Sequence, residues 1–446
     1  MSCLTRRQCL AANAQHRQTL DEPRGEGHIH EWGLRIATLK LDTPSHIAPL
    51  KAAHVATVSA VLQSLLLNQM CSMRDSGYDV TGIATPDDWS DQFAASGLRY
   101  IPVRIEREIA LFRDLISLWQ LYRLFRREKF TIVHTHNPKA GLLGQLAARL
   151  ARVPIVLNTV HGFYFHDHMS PVKRRLFVTL EKIAALCSDS ILSQNQEDML
   201  VALEEKICSP NKIMHLGNGI DLNKFDPDLI TPEVILQKRA EVGLKDEVPV
   251  VGFVGRLAAK RKGFEDFLIA ARQVADRLPS ARFMIIGRSD RQKSDSAHPS
   301  IAQDYGVADH CMFLGFQPNS QMPALYRLMN VLVLPSLFEG IPRAVMEASA
   351  MKVPIVATDV KGNREAVDHD RNGLLVPLGD TTALADAILH ILTDRDCASR
   401  MGEAGRQVAL ERFDERLVFE KVSAEYARLL TQKGLALPVA STSAEI

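Results

Sequence analysis

No run of apolar residues in the sequence approaches the roughly 20 that a membrane-crossing helix needs. The most apolar early stretch, Val55 to Leu67, is broken by Thr57, Ser59, Gln63 and Ser64, so any membrane association is expected to be peripheral. Paired cysteines are lacking too. The seven present (Cys3, Cys9, Cys71, Cys187, Cys208, Cys311, Cys397) are scattered, odd in number and never in a C-x-x-C arrangement, which argues against a disulfide framework or zinc knuckle and fits a reduced cytoplasm. The basic start, Met1 to Arg7, runs into Ala, Asn, Gln and His instead of an apolar segment, so no export signal is read there. Charge of one sign is not in excess: 53 basic side chains face 52 acidic ones, and no nucleic-acid partner is expected. H-E-x-x-H, G-x-S-x-G and the Walker phosphate loop are absent, and no G-x-G-x-x-G follows an opening strand, which counts against a nicotinamide dehydrogenase.

What is present is a soluble composition, 46% hydrophobic and 24% charged over 446 residues, enough chain for two domains with their own cores. Residues 1–50 carry charge, His and Pro without sustained periodicity, apart from a possible short strand at Leu34 to Leu41, and read as an extension. Strand and helix patterns then alternate. Strands are expected at Ala52–Val58, Tyr78–Ala84, Leu98–Val103, Thr131–Thr135 and Ile155–Val160. Helices are expected from the end of the first strand at Val58 to about Arg74, over Leu111–Lys129 and over Ala140–Ala151. This is the sequence form of a parallel α/β sheet. The Pro-, Asp- and Lys-rich stretch Asp221–Pro232 interrupts it, and a second series opens with Val248–Val254 and continues through Ala281–Ile286, Cys311–Leu314, Val331–Leu334 and Pro354–Ala357. The expected domains are therefore 51–230 and 231–415, each doubly wound, with a cleft between them. A helix within 416–435 is expected to pack back on the first domain, ahead of a tail at 436–446.

Open α/β sheets bind ligands beyond the carboxyl ends of their strands. The loop after Val254 holds Gly255-Arg256-Leu257 and then Lys260-Arg261-Lys262-Gly263. Arg as a bidentate clamp and Lys as a mobile charge suit a diphosphate; a solvated basic turn would look the same. After Leu334 comes Glu339-Gly340-Ile341-Pro342-Arg343. Gly340 permits close backbone approach and Pro342 suits a helix start, whose N–H groups favour a phosphate. Glu339 and Glu347 are spaced to accept hydroxyl hydrogen bonds along a ligand, although either alone reads equally as a surface or capping residue. His134 and His136 end a strand on one face, opposite Thr135, but no third metal ligand is evident; His166-Asp167-His168 in a loop is a weaker candidate still. No metal site is expected. His161-Gly162 follows the strand ending at Val160 and points into the cleft, or else His161 is a core or capping residue.

Taken in order, Thr159-Val160-His161-Gly162, Leu216-Gly217-Asn218-Gly219-Ile220-Asp221, Gly255 to Gly263, Glu339-x7-Glu347, Gly362-Asn363-Arg364-Glu365 and Asn372 to Val376 resemble glycosyltransferase family 4. The resemblance covers roughly Ala52 to Leu430. It implies the GT-B fold, two Rossmann-like domains with an interdomain cleft, the first taking the acceptor and the second the nucleotide sugar. It implies a retaining transfer without enzyme nucleophile, metal or cofactor. On the matching positions, Arg256 and Lys262 would hold the diphosphate and Glu339 the transferred sugar. Glu347 would hold the ribose, and His161 would lie beside the reacting carbon. Gly255, Gly340, Ile341, Pro342 and Arg343 would complete the donor site.

The segment His134 to Gly141 resembles the bacterial capsule and cell-surface polysaccharide branch. That branch implies a UDP-linked hexose or N-acetylhexosamine and a polyprenyl-diphosphate-linked acceptor, with His136, Lys139, His161 and Gly162 on the acceptor side. Two positions depart from the pattern. Lys262 lies six residues after Arg256, so Lys260 or Arg261 could share its role, and the turn at Ala60 to Gln63 lacks paired glycines. Fifteen Lys and Arg against six Asp and Glu between Arg99 and Lys182 suit the anionic inner face of the cytoplasmic membrane; the same residues read as core plus solvated charge. A UDP-sugar 2-epimerase of the same architecture and a non-catalytic sugar-nucleotide-binding protein are the alternatives, the first distinguishable by incubating UDP-N-acetylglucosamine alone.

Overall fold

Period-two alternation along each strand builds two sheets with both faces covered. The computed structural model describes residues 49–107, 110–165, 169–245, 247–258, 260–289 and 296–438; the strand at Leu34 to Leu41 and the His166-Asp167-His168 loop lie outside them. The first sheet holds β1 (Leu50–Val58), β2 (Tyr78–Thr85), β3 (Arg99–Pro102), β4 (Ile132–His136), β5 (Ile155–Val160), β6 (Ser190–Ser193) and β7 (Ile213–His215). Their order is β3-β2-β1-β4-β5-β6-β7, all parallel. The second holds β8 (Val250–Val254), β9 (Arg282–Ile286), β10 (Cys311–Gly315), β11 (Val331–Leu334), β12 (Ile355–Thr358) and β13 (Gly373–Val376). It repeats the pattern as β10-β9-β8-β11-β12-β13, again parallel. In each sheet the order reverses beside the first strand, where Rossmann-like folds open a crevice.

The alternation is visible in the core. On the second sheet Val250, Met284, Ile286, Leu332 and Leu334 face one helical layer, while Val251, Phe253, Phe283, Ile285, Val331 and Val333 face the other. On the first sheet Ala52 and Ala56 pack to one side and Ala53 and Val55 to the other. A glycine allows close helix packing on β4: against Thr135 lies Gly144 of helix Pro138–Leu150, where a Cβ would come 2.7 Å from the threonine methyl.

The chain crosses between domains earlier than residue 230. Ile220, Leu222 and Phe225 are buried in the second-domain core with Leu244 and Tyr326, because the Asp221–Pro232 segment wraps that domain instead of linking the two. The return crossing runs alongside: Ile220 N–H donates to Phe413 O and Glu415 N–H to Ile220 O. From there helix Glu415–Gln432 lays Val418, Val422, Tyr426, Leu429 and Leu430 into the first-domain core. Its Tyr426 hydroxyl meets Nδ1 of His134 at 2.8 Å.

After β1 there is no loop. The strand passes straight into helical turns at Ser59–Val61, a π-helical stretch at Leu62–Leu66 and helix Leu67–Asp75. Where paired glycines were missing from the sequence, the Asp87 carboxylate caps this start, accepting from the Ala60 N–H at 3.0 Å and from the Ser59 hydroxyl.

Candidate active site

The two sets of strand ends face each other across a cavity of about 2780 Å³, well above the usual ~300–1,000 Å³ of a single-ligand pocket. That volume suits two substrates. Beside the cavity, glycines let the backbones of the two domains touch. A Cβ on Gly162 would lie 3.1 Å from Gly340 Cα, one on Gly340 2.5 Å from His161 O, and one on Gly362 only 1.7 Å from Gly340 O. Gly362 also has φ +85°, which other residues rarely adopt. Three motifs distant in sequence thus meet backbone to backbone, and His161 of the first domain is set directly against Glu339-Gly340 of the second.

On the second-domain side, Lys262 Nζ pairs with Glu339 Oε1 at 2.5 Å, their side chains 18% and 8% exposed. The turn Gly255 to Gly263 that carries Lys262 also brings Arg256 and Arg261 to the cavity, with Arg261 over the Phe338 ring at 4.8 Å. Lys260 is exposed and lies off the lining. Pro342 caps helix Arg343–Ala350 at its cavity end. One turn on, the Tyr326 hydroxyl donates to Glu347 Oε2 at 2.9 Å. Burial holds the Glu347 carboxyl above its ordinary range, against the opposing pull of Arg343 and Tyr326. Arg343 itself is strung between Glu347, 3.6 Å away, and the Ser64 carbonyl of the first domain, 2.7 Å away, so it bridges the domains as well as lining the cleft.

On the first-domain side, His161 lines the cavity with His136 behind it, His136 Nδ1 to His161 Nε2 being 3.2 Å. Burial lowers the His161 pKa to about 4, so the ring is neutral at physiological pH. The third imidazole that the sequence did not reveal is His54 of β1: its Nδ1 meets His136 Nε2 at 3.0 Å. His54, His134 and His136 form a buried cluster, but both nitrogens of His134 are engaged, by Tyr426 and by Thr159 Oγ1 at 2.7 Å.

Two family models match the chain: "Glycosyl transferase 4-like domain" over residues 62–219 and "Glycosyl transferases group 1" over residues 234–408. The chain is 30% identical over 352 residues to the UDP-Gal:alpha-D-GlcNAc-diphosphoundecaprenol alpha-1,3-galactosyltransferase of Escherichia coli, covering 78% of this chain and 89% of that one. The chain belongs to the group 1 glycosyl transferases. It is also 28% identical to the capsular polysaccharide biosynthesis glycosyltransferase CapM of Staphylococcus aureus, covering 86% of this chain and 98% of that one. Among solved structures, sucrose-phosphate synthase from Thermosynechococcus elongatus superimposes with TM-score 0.73 at 21% identity, over 86% of this chain and all of that one. The shared fold is GT-B.

Of the residues expected on the acceptor side of this glycosyltransferase, His136 and His161 line the cavity, whereas Gly162, packed against the Gly340 backbone, and Lys139 do not. Lys139 lies in the first turn of helix Pro138–Leu150 but pairs with Asp114 at 2.6 Å; the carboxylate of a neighbouring helix draws it away. Gly255, Arg256, Lys262, Glu339, Gly340, Ile341, Pro342, Arg343, Glu347, His136 and His161 all line the cavity. Sequence reasoning missed Arg288 and Phe316, which stack at 5.6 Å after β9 and β10, and Trp89, which meets Phe316 edge-on at 5.5 Å across the cleft. The glycines that end those strands, Gly287 and Gly315, were the available signal. Asn218 was quoted only as part of a motif; its amide donates to Ile341 O at 3.1 Å, tying the crossing segment to the turn before helix Arg343–Ala350.

Proposed function

We propose that this glycosyltransferase transfers a hexose or N-acetylhexosamine, with retention of configuration, from a UDP-linked donor to a polyprenyl-diphosphate-linked glycan in cell-surface polysaccharide synthesis. The observation that carries the reading is the convergence on one cavity of the Lys262–Glu339 pair, Glu347 and, from the opposite domain, His161. In this reading Arg256 and Lys262 neutralise the diphosphate as the sugar–phosphate bond breaks, an electrostatic contribution realised in the transition state. Lys262 then exchanges the Glu339 carboxylate for phosphate oxygens, leaving Glu339 to accept sugar hydroxyls. Glu347 accepts ribose hydroxyls, and the leaving phosphate takes the acceptor's proton. The name of the galactosyltransferase relative supports the donor and acceptor classes, and that of CapM supports the place in cell-surface polysaccharide synthesis.

A place at the cytoplasmic face of the membrane is supported by helix Leu111–Glu128. Its core side is Leu121, Leu124 and Phe125, so the aromatic and aliphatic residues left outside are not core. Leu111 and Phe112 are 79% and 77% exposed, with Leu115 and Trp119 beside them and exposed Arg113, Arg123, Arg126 and Arg127 around them. An apolar stripe ringed by arginines fits the interface of an anionic bilayer. No helix among the described residues is long and apolar enough to cross a membrane.

The test is product formation from a panel of UDP-, GDP- and ADP-sugars with a polyprenyl-diphosphate-linked N-acetylhexosamine, preceded by a thermal-shift screen for the donor nucleotide. Transfer from a UDP-sugar with the α-configuration kept is the expected result. Absence of transfer from every donor would sink the reading, and an epimer formed from UDP-N-acetylglucosamine alone would favour the 2-epimerase instead.

A further inference from the structure

Behind His161 the buried rings form a line whose direction can be read from its far end. His54 Nε2 lies 3.3 Å from Met73 Sδ, His54 Nδ1 lies 3.0 Å from His136 Nε2, and His136 Nδ1 lies 3.2 Å from His161 Nε2. His54 and His136 are fully buried and Met73 is 3% exposed. A thioether sulfur has lone pairs and no proton, so it can only accept. A bare His54 nitrogen facing it would set lone pair against lone pair in a dry interior, so Nε2 must carry the proton. A neutral ring has one N–H, and burial keeps His54 neutral by lowering its pKa to about 3. His54 Nδ1 is then bare and accepts from His136 Nε2–H; His136 Nδ1 is bare in turn and accepts from His161 Nε2–H. The neighbouring His134 stacks on His136 at 4.4 Å but stands outside the line, since Tyr426 and Thr159 take both of its nitrogens.

We propose that Met73, through His54 and His136, fixes His161 as its Nε2–H tautomer, so that the nitrogen left for the cleft, Nδ1, is a hydrogen-bond acceptor for a substrate hydroxyl. Met73, His54 and His136 are positioning residues in this arrangement. Gln194 lines the cavity and hydrogen-bonds the His161 ring; its amide can donate or accept, so it adapts to the tautomer that the buried line imposes. The catalytic use of that hydroxyl contact rests on the glycosyltransferase reading above; the tautomer does not.

Long-range proton–nitrogen correlation on the full chain labelled with 15N-histidine reads the tautomers directly, with His161 assigned by loss of its signals in His161→Gln. The expected result is the Nε2–H form at His54, His136 and His161. Met73→Leu keeps the volume but removes the acceptor, and is expected to populate the Nδ1–H form of His161 and to lower turnover about two- to fivefold at unchanged donor KM. An Nδ1–H form at any of the three rings of the unaltered protein, or a His161 tautomer unmoved in Met73→Leu, would overturn the proposal. So would a stoichiometric metal in the purified protein that His54→Ala releases. If no nucleotide sugar supports transfer, the functional reading fails while the nitrogen spectra still decide the tautomer, and they do so in the unaltered protein even if Met73→Leu does not fold.

Discussion

Lys262 and Glu339 neutralise each other with side chains only 18% and 8% exposed, and in the proposed reading each serves a different part of the donor. Removing the lysine takes away the cation that would face the leaving diphosphate. Lys262→Ala is expected to lower kcat roughly 10²- to 10³-fold, the scale of a lost preorganised charge-stabilising donor. It also leaves Glu339 unpaired, so denaturant unfolding run alongside separates lost chemistry from lost fold; an unchanged kcat would remove Lys262 from the site. Glu347 makes a different case, because its carboxylate is buried and already accepts from Tyr326. Glu347→Ala is expected to weaken UDP binding about tenfold or more by titration calorimetry, the loss of a hydrogen bond to a charged group; unchanged affinity would refute the ribose role.

These second-domain cavity residues were legible because the chain places them close together: glycine, cation and carboxylate fall within nine-residue windows at 255–263 and 339–347. The residues that escaped are ones whose meaning lies in a distant partner. His54 stands 80 residues before His134, Trp89 meets Phe316 of the other domain and Lys139 is claimed by Asp114, and no spacing rule reports such pairs.

At the scale of elements, β11 could be read at four residues because all four are apolar, whereas the similarly short β6 and β7 mix Ser or His with their apolar residues and show no run. Helix Glu415–Gln432 is the element that most needs a specific anchor, since it must return from the second domain to the first. Tyr426 supplies it: the side chain is fully buried and its hydroxyl satisfies His134 Nδ1. Tyr426→Phe keeps the ring and leaves that nitrogen without its partner, at an expected cost of about 1–3 kcal/mol in urea unfolding; a cost near zero would mean the hydroxyl is not anchoring the helix. Helix Leu111–Glu128 makes the opposite argument, from residues left outside. Sedimentation with vesicles containing anionic phospholipid is expected to capture the protein, and replacing Phe112 and Trp119 by Glu is expected to release it. Equal capture on neutral vesicles, or by the double variant, would count against the membrane reading.

The whole molecule joins its halves by polar contacts at several points: Lys361 with Asp198, Arg364 with Glu197 and His215 with Glu365, beside the close backbone approach of Gly162 to Gly340. Behind them sits a concentration of histidine that makes the fold sensitive to acid. Burial lowers His54 to about 3 and His161 to about 4, and it lowers His134 and His136 well below the ordinary value. Each ring stays neutral in the fold but takes a proton in the unfolded chain near pH 6.5. The unfolded state therefore gains protons as pH falls, and the stability present above pH 6.5 is lost below it, by about 1.4 kcal/mol per ring between pH 7.5 and 5.5. Glu181 opposes this. Burial and the nearby Asp198 carboxylate raise it to about 7, so over the same interval the fold binds the proton that the unfolded chain has lost, and acidification stabilises by roughly 2 kcal/mol. Urea unfolding at pH 7.5, 6.5 and 5.5 is expected to show a net loss of stability toward acid, on the order of 3 kcal/mol from these groups. Glu181→Gln removes only the opposing contribution, so its loss over the same range should be steeper by about 2 kcal/mol. Comparing the two proteins cancels the remaining titrating groups, and parallel pH profiles would show that Glu181 is not held protonated by the fold.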